Sequence, residues 1–575
     1  MHRRWFVNRT NQDFLDYLSR KISISTAFSQ ILVNRGIKDT RSIGSFLSPS
    51  LEDLHDPFLM PDMVKAVERI KQASSKGETV LVYGDYDADG LTSTAIMVSA
   101  LKMLGSKPYY YIPNRITEGY GLSREGLLKA KSLSVNLIIT VDCGISSHGE
   151  VQMAADYGMD VIITDHHEPP EKLPPAFAIL NPRRQDSEYP FKDLAGVGVA
   201  YKLIQGLLQG FRTSELQDLL DLVAIGTIGD SVPLVGENRI FVTYGLKAIN
   251  DSPKPWAEAI RKTAGIKGKE IKSTSASFTI VPRINAVGRL DRATDVVEFF
   301  LTEDMENARM IASFLERQNR TRQKYEEEVA QQAFDMVKSQ EMDRAIVLAV
   351  PGWHIGILGI VASRLADAFY RPAFVLSIND SIAKGSARSI PPFHIFNGLS
   401  ECAELFLSFG GHRQAAGLKL LSENLPAFKK RINSVIEATL TEEDIIPRLE
   451  IDAGVEFFEV NFNLVNELSR LEPFGDSNQE PVLGARNLEI LEPRIVGENH
   501  LKMRLKQRAI SIDTIGFDMG NFLEVINTTN TALSPTVDAA FTPCINEWNG
   551  NRYLQLNLKA LRPSMSTNSF PYVQE

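Results

Sequence analysis

Short apolar runs alternate with amphipathic stretches over residues 78–180. The pattern predicts strands at 79–83, 109–112, 137–141, 161–164 and 177–180, with helices over 91–104, 123–131 and 147–157 between them. That rhythm argues for a largely parallel sheet covered on both faces. Residues 1–45 read as a short helical lead-in, and 53–76 as mixed loop and helix. Residues 303–337 are polar and helical with sparse apolar spacing, which predicts a solvated linker helix. A second α/β unit follows. It opens with a strand at 345–350, continues through the turn and helix GWHIGILGIVASRLADAF, and has a further strand at 373–378. From about residue 449 short alternating segments with turn signals predict a β-rich domain. The tail after Arg562 is rich in Ser, Thr, Asn and Pro and is expected to be disordered.

Acidic residues interrupt this pattern where the strands stop. In TVLVYGDYDADG (79–90) the apolar run ends at Asp85, Asp87 and Asp89. Three carboxylates in five residues repel one another strongly unless a cation sits between them, and hard divalent ions prefer such oxygens. An EF-hand loop also begins D-x-D-x-D-G but needs Glu at loop position twelve; here that position is Ile96, and the preceding flank is β-like. The blander reading is a solvated acidic turn. Asp142 ends LIITVD, and Asp165 ends VIITD and is followed by His166 and His167. Ligands of open α/β sheets bind just past the carboxyl ends of strands, so these residues are expected to converge on one crevice. Asp230, in TIGDSVP, is expected at a turn, where an N-cap role competes with a ligand role. PRINAVGRLD (282–291) carries Arg283, Asn285, Gly288 and Arg289 and reads as a loop able to approach a phosphate.

Later motifs are more basic. FGGHRQAAG (409–417) is a Gly-rich turn with His412 and Arg413 as donors for an anion, or simply a turn with surface cations. KGSARS (384–389) carries Ser386 and Arg388. In LKMRLKQR (501–508), period-two alternation puts Lys502, Arg504, Lys506 and Arg508 on one face and Leu501, Met503 and Leu505 on the other. Such a cationic face suits a polyanion backbone, against the alternative of a merely soluble strand. Trp548, Arg552 and Tyr553 are candidates for base stacking or for packing.

The chain has 575 residues, which implies three or four domains. No apolar run is long enough for a transmembrane helix, and MHRRWFVNRTNQDF lacks the apolar core of a secretory signal. Cys143, Cys402 and Cys544 show no pairing pattern, which points to a reducing, cytoplasmic setting. The net charge of −9 does not advertise nucleic-acid binding, but a whole-chain sum can hide a local basic face.

Taken in order, DYDADG, VDCG, DHH, GDSVP and GGHRQAAG resemble the motif set of the DHH/DHHA1 phosphoesterase superfamily. NAVGRL, GWHIGILGIVASRL and the β-rich end resemble its RecJ branch, over residues 45–562 or so. The resemblance implies an α/β parallel-sheet DHH domain (46–302) after the lead-in (1–45) and a linker helix (303–340). It further implies a second α/β DHHA1 domain (341–447), an OB-like β-rich nucleic-acid-binding domain (448–562) and a disordered tail (563–575). It implies a 5′→3′ exonuclease that hydrolyses single-stranded DNA to mononucleotides with two divalent cations, Mn²⁺ or Mg²⁺, in DNA repair and recombination. Single-stranded-DNA-binding protein and helicase are candidate partners; a monomer and no membrane association are expected.

Carried onto this chain, the metal ligands fall on Asp85, Asp87, Asp89, Asp142, His166 and Asp230, with Asp142 as the bridge. His167 corresponds to a contact to the scissile phosphate, and Asp165 to the group that orients the histidines. Arg289, Ser386 and Arg388 resemble the grip on a terminal 5′-phosphate, and His412 sits in the second domain's motif. Pyrophosphatase-like relatives have a histidine where this chain has Tyr83, which argues against that branch. The alternatives are a phosphodiesterase of short oligonucleotides or cyclic dinucleotides, and a non-catalytic DNA-binding scaffold. The basic strand argues against the first and the full set of acids against the second.

Overall fold

A computed structural model describes residues 3–524 and 536–564, except 116, 211, 267, 291, 292 and 549. The chain opens with strand β1 (Arg4–Val7) and the helices Gln12–Ile22, Thr26–Asn34 and Thr40–Leu47. Five parallel strands follow: β2 (Val80–Gly84), β3 (Tyr109–Tyr111), β4 (Leu137–Val141), β5 (Asp160–Thr164) and β6 (Ala178–Leu180). Their order in the sheet is β3-β2-β4-β5-β6. Strands β2 and β4 are buried at every position, as continuous apolar runs in a covered parallel sheet should be.

The helix Met305–Lys338 joins this domain to the next. It is not the solvated linker that its polar sequence suggests. Ala308, Ile311, Ala312 and Leu315 pack into the first domain's core, and Val329, Ala330, Ala333 and Val337 into the second's. At ~1.5 Å per residue the helix is about 50 Å long, enough to serve two cores with two short apolar stripes. Neither stripe is long enough to dominate the periodicity.

The second domain holds β7 (Ile346–Pro351), β8 (Ala373–Asn379), β9 (Ile382–Arg388), β10 (Phe406–Gly411) and β11 (Ala415–Leu421), in the order β10-β11-β9-β8-β7. Only the β7–β8 pair is parallel. The C-terminal region holds β12 (Arg448–Ile451), β13 (Ala453–Gly454), β14 (Leu483–Val496), β15 (His500–Gln507), β16 (Ile510–Gly516), β17 (Val537–Trp548) and β18 (Asn551–Pro563). Pairing of β14 with both β15 and β17 closes β14-β15-β16-β18-β17 into a five-stranded barrel. The tail from residue 565 lies outside the described residues.

The lead-in belongs with the barrel rather than standing apart. β1 pairs in parallel with β12, and Phe28, Ile31 and Leu32 share a core with Leu464, Leu468, Leu471 and the barrel strands. No helix among the described residues is long and apolar enough to cross a membrane.

Candidate metal centre

The strand order puts the crevice between β2 and β4. Strand β3 follows β2 on one side, and β4 returns on the other, so the topological switch point lies between them. Asp85 follows β2 directly and Asp142 follows β4 directly. Asp165 and His166 follow β5, one strand further.

Local chemistry then fixes each side chain. Asp87 is the N-cap of helix Ala88–Met103; its Oδ1 accepts from the Asp89 and Gly90 amides at 3.0 and 3.2 Å. Asp89 sits in the first turn, and its two oxygens accept from the Gly196 and Val197 amides, each at 2.7 Å, at the start of helix Gly196–Leu207. Asp142 adopts a left-handed backbone (φ 61°), a conformation uncommon outside glycine and concentrated at functional sites. Asp165 is an organiser. Its Oδ1 accepts from the His166 amide (2.8 Å), the His167 amide (3.0 Å) and His167 Nδ1 (2.7 Å), and its Oδ2 from the Ile145 amide (2.9 Å). Asp230 closes helix Leu220–Gly229 in extended conformation, so it is a C-cap residue and not an N-cap.

Three overlapping groups result: Asp85–Asp87–Asp142, Asp89–His166–Asp230 and Asp142–His166–His167, with the ligand atoms in each within 4.8 Å of one another. Asp142 belongs to two of them. His166 Nε2 lies 3.2 Å from Asp142 Oδ1, 3.6 Å from Asp230 Oδ2 and 4.0 Å from Asp89 Oδ2.

The electrostatics call for cations. Burial, and then the neighbouring Asp87, holds the Asp85 carboxyl well above the usual carboxylate range; burial and the surrounding acids do the same to Asp142 and Asp89. Burial pushes His166 down, toward the neutral form that ligates metal. For His167, burial opposes protonation, but the hydrogen bond and charge of Asp165 outweigh it and push the imidazole up to about 9. Asp85 Oδ1, Asp142 Oδ1, His166 Nδ1 and Asp230 Oδ2 are buried without a hydrogen-bond partner among the described residues. Unsatisfied buried carboxylate oxygens are costly, and a divalent ion on an oxygen-rich donor set removes that cost. The donor set fits divalent ions, and Asp142 stands in two of the three groups.

The remaining expectations divide. Residues 282–291 are largely helix, Val281–Leu290, and not a loop; the side chain of Arg289 lies outside the described residues. Ser386 and Arg388 lie on strand β9 and not in a loop. Both face Gly359 in the first turn of helix Leu358–Phe369, where a Cβ would meet Arg388 Nη2 at 3.1 Å and Ser386 Cβ at 3.6 Å. His412 is exposed at the tip of the β10–β11 hairpin, outside the metal cluster. On the barrel, Leu501, Met503 and Leu505 are buried as the alternation requires. The opposite face is not an uninterrupted cationic row, however. Lys506 pairs with Glu489 at 2.9 Å and Arg504 with Asp513 at 3.6 Å, both across the strands. Arg508 sits past the strand end in a left-handed turn, 3.5 Å from Glu456. Such exposed pairs are worth ~0.2–1 kcal/mol. Arg552 is 3.4 Å from Glu547, Tyr553 is exposed, and the side chain of Trp548 lies outside the described residues.

Two site residues carried no motif. Tyr120 places its hydroxyl 3.0 Å from His167 Nδ1 and donates to the Asp142 carbonyl at 3.3 Å. Arg115 stacks over Tyr86 at 5.0 Å, and its charge acts on both Asp85 and Arg388, so it lies between the metal loop and the second domain. Both come from the irregular segment after β3, where periodicity carries no signal.

Residues 79–227 match the profile of the DHH family, N-terminal domain, residues 342–438 the DHHA1 domain and residues 451–560 the RecJ OB domain. The chain is 41% identical over 564 residues to a Bacillus subtilis protein described as single-stranded-DNA-specific exonuclease RecJ, covering 97% of this chain and 70% of the relative. It is 34% identical to the Dickeya dadantii protein of the same description, covering 94% and 96%. The crystal structure of Thermus thermophilus RecJ with Mn²⁺ superposes with a TM-score of 0.84 at 29% identity, over 98% of this chain and 80% of that one. The Mg²⁺ complex of the same protein gives 0.78 at 28% identity, over 98% and 79%. With profile matches in all three domains and such similarity along nearly its whole length, the chain belongs to the RecJ family.

Proposed function

We propose that this protein is a metal-dependent exonuclease that hydrolyses single-stranded DNA from the 5′ end to mononucleotides. The observation that carries the reading is Asp142, which belongs to two ligand groups and whose Oδ1, like Asp85 Oδ1, is buried with no hydrogen-bond partner among the described residues. Its relatives, described as single-stranded-DNA-specific exonucleases, support the substrate.

Divalent ions bound at these residues neutralise phosphodiester charge and lower the pKa of a water. Every other contribution comes from the chain. Asp85, Asp87 and Asp142 would hold one ion and Asp89, His166 and Asp230 another, with Asp142 Oδ1, 3.2 Å from His166 Nε2, within reach of both. Asp165 holds Nδ1 of His167, which leaves Nε2 as the ring nitrogen available to the scissile phosphate. The same carboxylate holds the amides of both histidines and so sets the angle of the loop that carries them.

Polarity comes from the second domain. Ser386 and Arg388 beside the N-terminal end of helix Leu358–Phe369 combine a hydroxyl, a guanidinium and the positive end of a helix dipole, the chemistry that takes up a terminal phosphate. Arg115 faces the same space from the catalytic domain. Burial, then the charge of Arg115, depresses the Arg388 guanidinium, so an anion between the two relieves both. Arg289 completes the grip in this reading, and Lys502, Arg504, Lys506 and Arg508 of the barrel hold the trailing backbone. DNA repair and recombination in the cytoplasm, with single-stranded-DNA-binding protein and helicase as partners of a monomeric enzyme, is the setting that fits. The test is release of mononucleotides from 5′-labelled single strands. Mn²⁺-dependent release with duplex untouched is expected; no hydrolysis, or equal hydrolysis of duplex, overturns the proposal.

A further inference from the structure

One aromatic side chain between the barrel and the metal centre has no role in the scheme above. The helix Val281–Leu290 packs one face on the metal loop. Val281 lies against Gly229, which precedes Asp230; Asn285 Oδ1 accepts from the Ala88 amide at 2.7 Å; and Gly288 fits against the Tyr86 carbonyl, where a Cβ would sit at 2.3 Å. These positions, i, i+4 and i+7, form a single stripe. The preceding turn, Ala276–Ile280, is π-helical. Such turns are rare and are found mostly at functional sites.

Within that turn Ala276 and Ile280 are fully buried, and Phe278 is turned outward at 81% exposure. It is the most exposed of the large hydrophobic side chains among the described residues. The other end of the segment is tied toward the barrel: Ser273 Oγ donates to the Phe474 carbonyl at 2.7 Å, and Lys272 pairs with Glu472 at 2.9 Å. Phe278 therefore stands between the stretch leading into the barrel and the loop carrying Asp87. Asn285 is seven positions further on, about 10 Å along a helix axis.

We infer that Phe278 is a stacking platform for one unpaired base of the strand on its way from the barrel to the metals. The inference rests on the nuclease reading and adds a residue to it. An apolar ring held out in water beside a polyanion-binding route is unfavourable alone but matches the π-face that every unpaired base presents, independent of sequence. A duplex base is already stacked on both faces and has no free one, so the platform also favours single strands.

Two measurements test this. Single strands carrying one 5-iodouracil, moved position by position from the 5′ end, are irradiated with the protein in EDTA and the adducts mapped by mass spectrometry. A crosslink to Phe278 from one or two adjacent internal positions is expected. In steady-state hydrolysis, Phe278→Ala raises KM for a long strand about tenfold or more with kcat little changed, and leaves a dinucleotide unaffected; Phe278→Trp keeps the parent KM. No adduct at Phe278 together with an unchanged KM overturns the inference, and so does an equal loss on the dinucleotide. Crosslinking needs no turnover. A protein that binds strands without cutting them therefore refutes the nuclease reading and still reports on Phe278.

Discussion

Asp142 and Gly196 are in contact with no room between them. A Cβ built on Gly196 would lie 2.4 Å from Asp142 Oδ1 and 2.7 Å from its Cγ. The same glycine donates its amide to Asp89 at 2.7 Å. One backbone position thus sets the spacing of two acids that arrive from different strands.

Gly196→Ala is the first prediction. The added methyl pushes Asp142 away from the place both ligand groups require. Misplacement on the scale of 1 Å costs about 100-fold in rate, so kcat should fall by at least that factor. Circular dichroism should stay that of the parent protein, while Mn²⁺ affinity by calorimetry falls. Parent-like metal binding would remove Gly196 from the site.

Asp142→Ala and Asp142→Asn should abolish turnover. Without metal, removing this buried charge relieves repulsion from Asp85, Asp87 and Asp89, so the thermal midpoint of the metal-free protein should rise. The parent's own rise on adding Mn²⁺ should shrink or vanish in the variants. Scanning calorimetry with and without Mn²⁺ reads both. A folded, fully active Asp142→Ala protein refutes the ligand assignment.

Arg388→Ala should act on the strand end rather than on the metals. The ratio of kcat/KM for 5′-phosphorylated over 5′-hydroxyl strands is expected to fall toward one, about 10-fold or more, as a charge-assisted contact of ~1.5–3 kcal/mol is lost. Mn²⁺ binding is expected to be unchanged. Equal losses in both would place Arg388 in the metal centre's support and not at the terminal phosphate.

Arg239 supplies a prediction about architecture. Its buried guanidinium donates to the carbonyls of Phe46, Arg470, Leu471, Glu472 and Pro473 and stacks on Phe46 at 4.0 Å, with no carboxylate partner among the described residues. It thereby ties the catalytic domain to the lead-in and to the approach to the barrel. Arg239→Met takes the donor from the part-buried Phe46, Arg470 and Glu472 carbonyls, while Leu471 and Pro473 keep the Asn478 amide at 2.8 Å, and a loss of about 3 kcal/mol is expected. Because the loss falls on a junction, urea unfolding should separate into two transitions. A single parent-like transition would show that the halves are held elsewhere.

The acids of the proposed metal centre were legible because they stand where apolar runs stop. Val80–Gly84, Leu137–Val141 and Asp160–Thr164 are strands within one residue of expectation, and the acids follow each of them. Ion pairing on β15 was not legible, since Glu489 and Asp513 come from neighbouring strands and register is a tertiary fact. The helix Met305–Lys338 looked solvated because two short stripes on different cores do not sum to one periodicity. Arg115, Tyr120 and Phe278 were missed for a related reason: an isolated residue in an irregular or π-helical segment has no pattern to stand out from.

The sequence by itself determined the parallel sheet, the alternating barrel strand and the kinds of side chain available for metal and phosphate. These follow from local rules, namely periodicity, strand termini and carboxylate chemistry. Only the tertiary structure decided that Asp142 is shared, that Asp165 orients a loop, and that Ser386 and Arg388 look onto a helix terminus. Each of these depends on which strands are neighbours and how close two backbones come, and packing of the whole chain sets both distances.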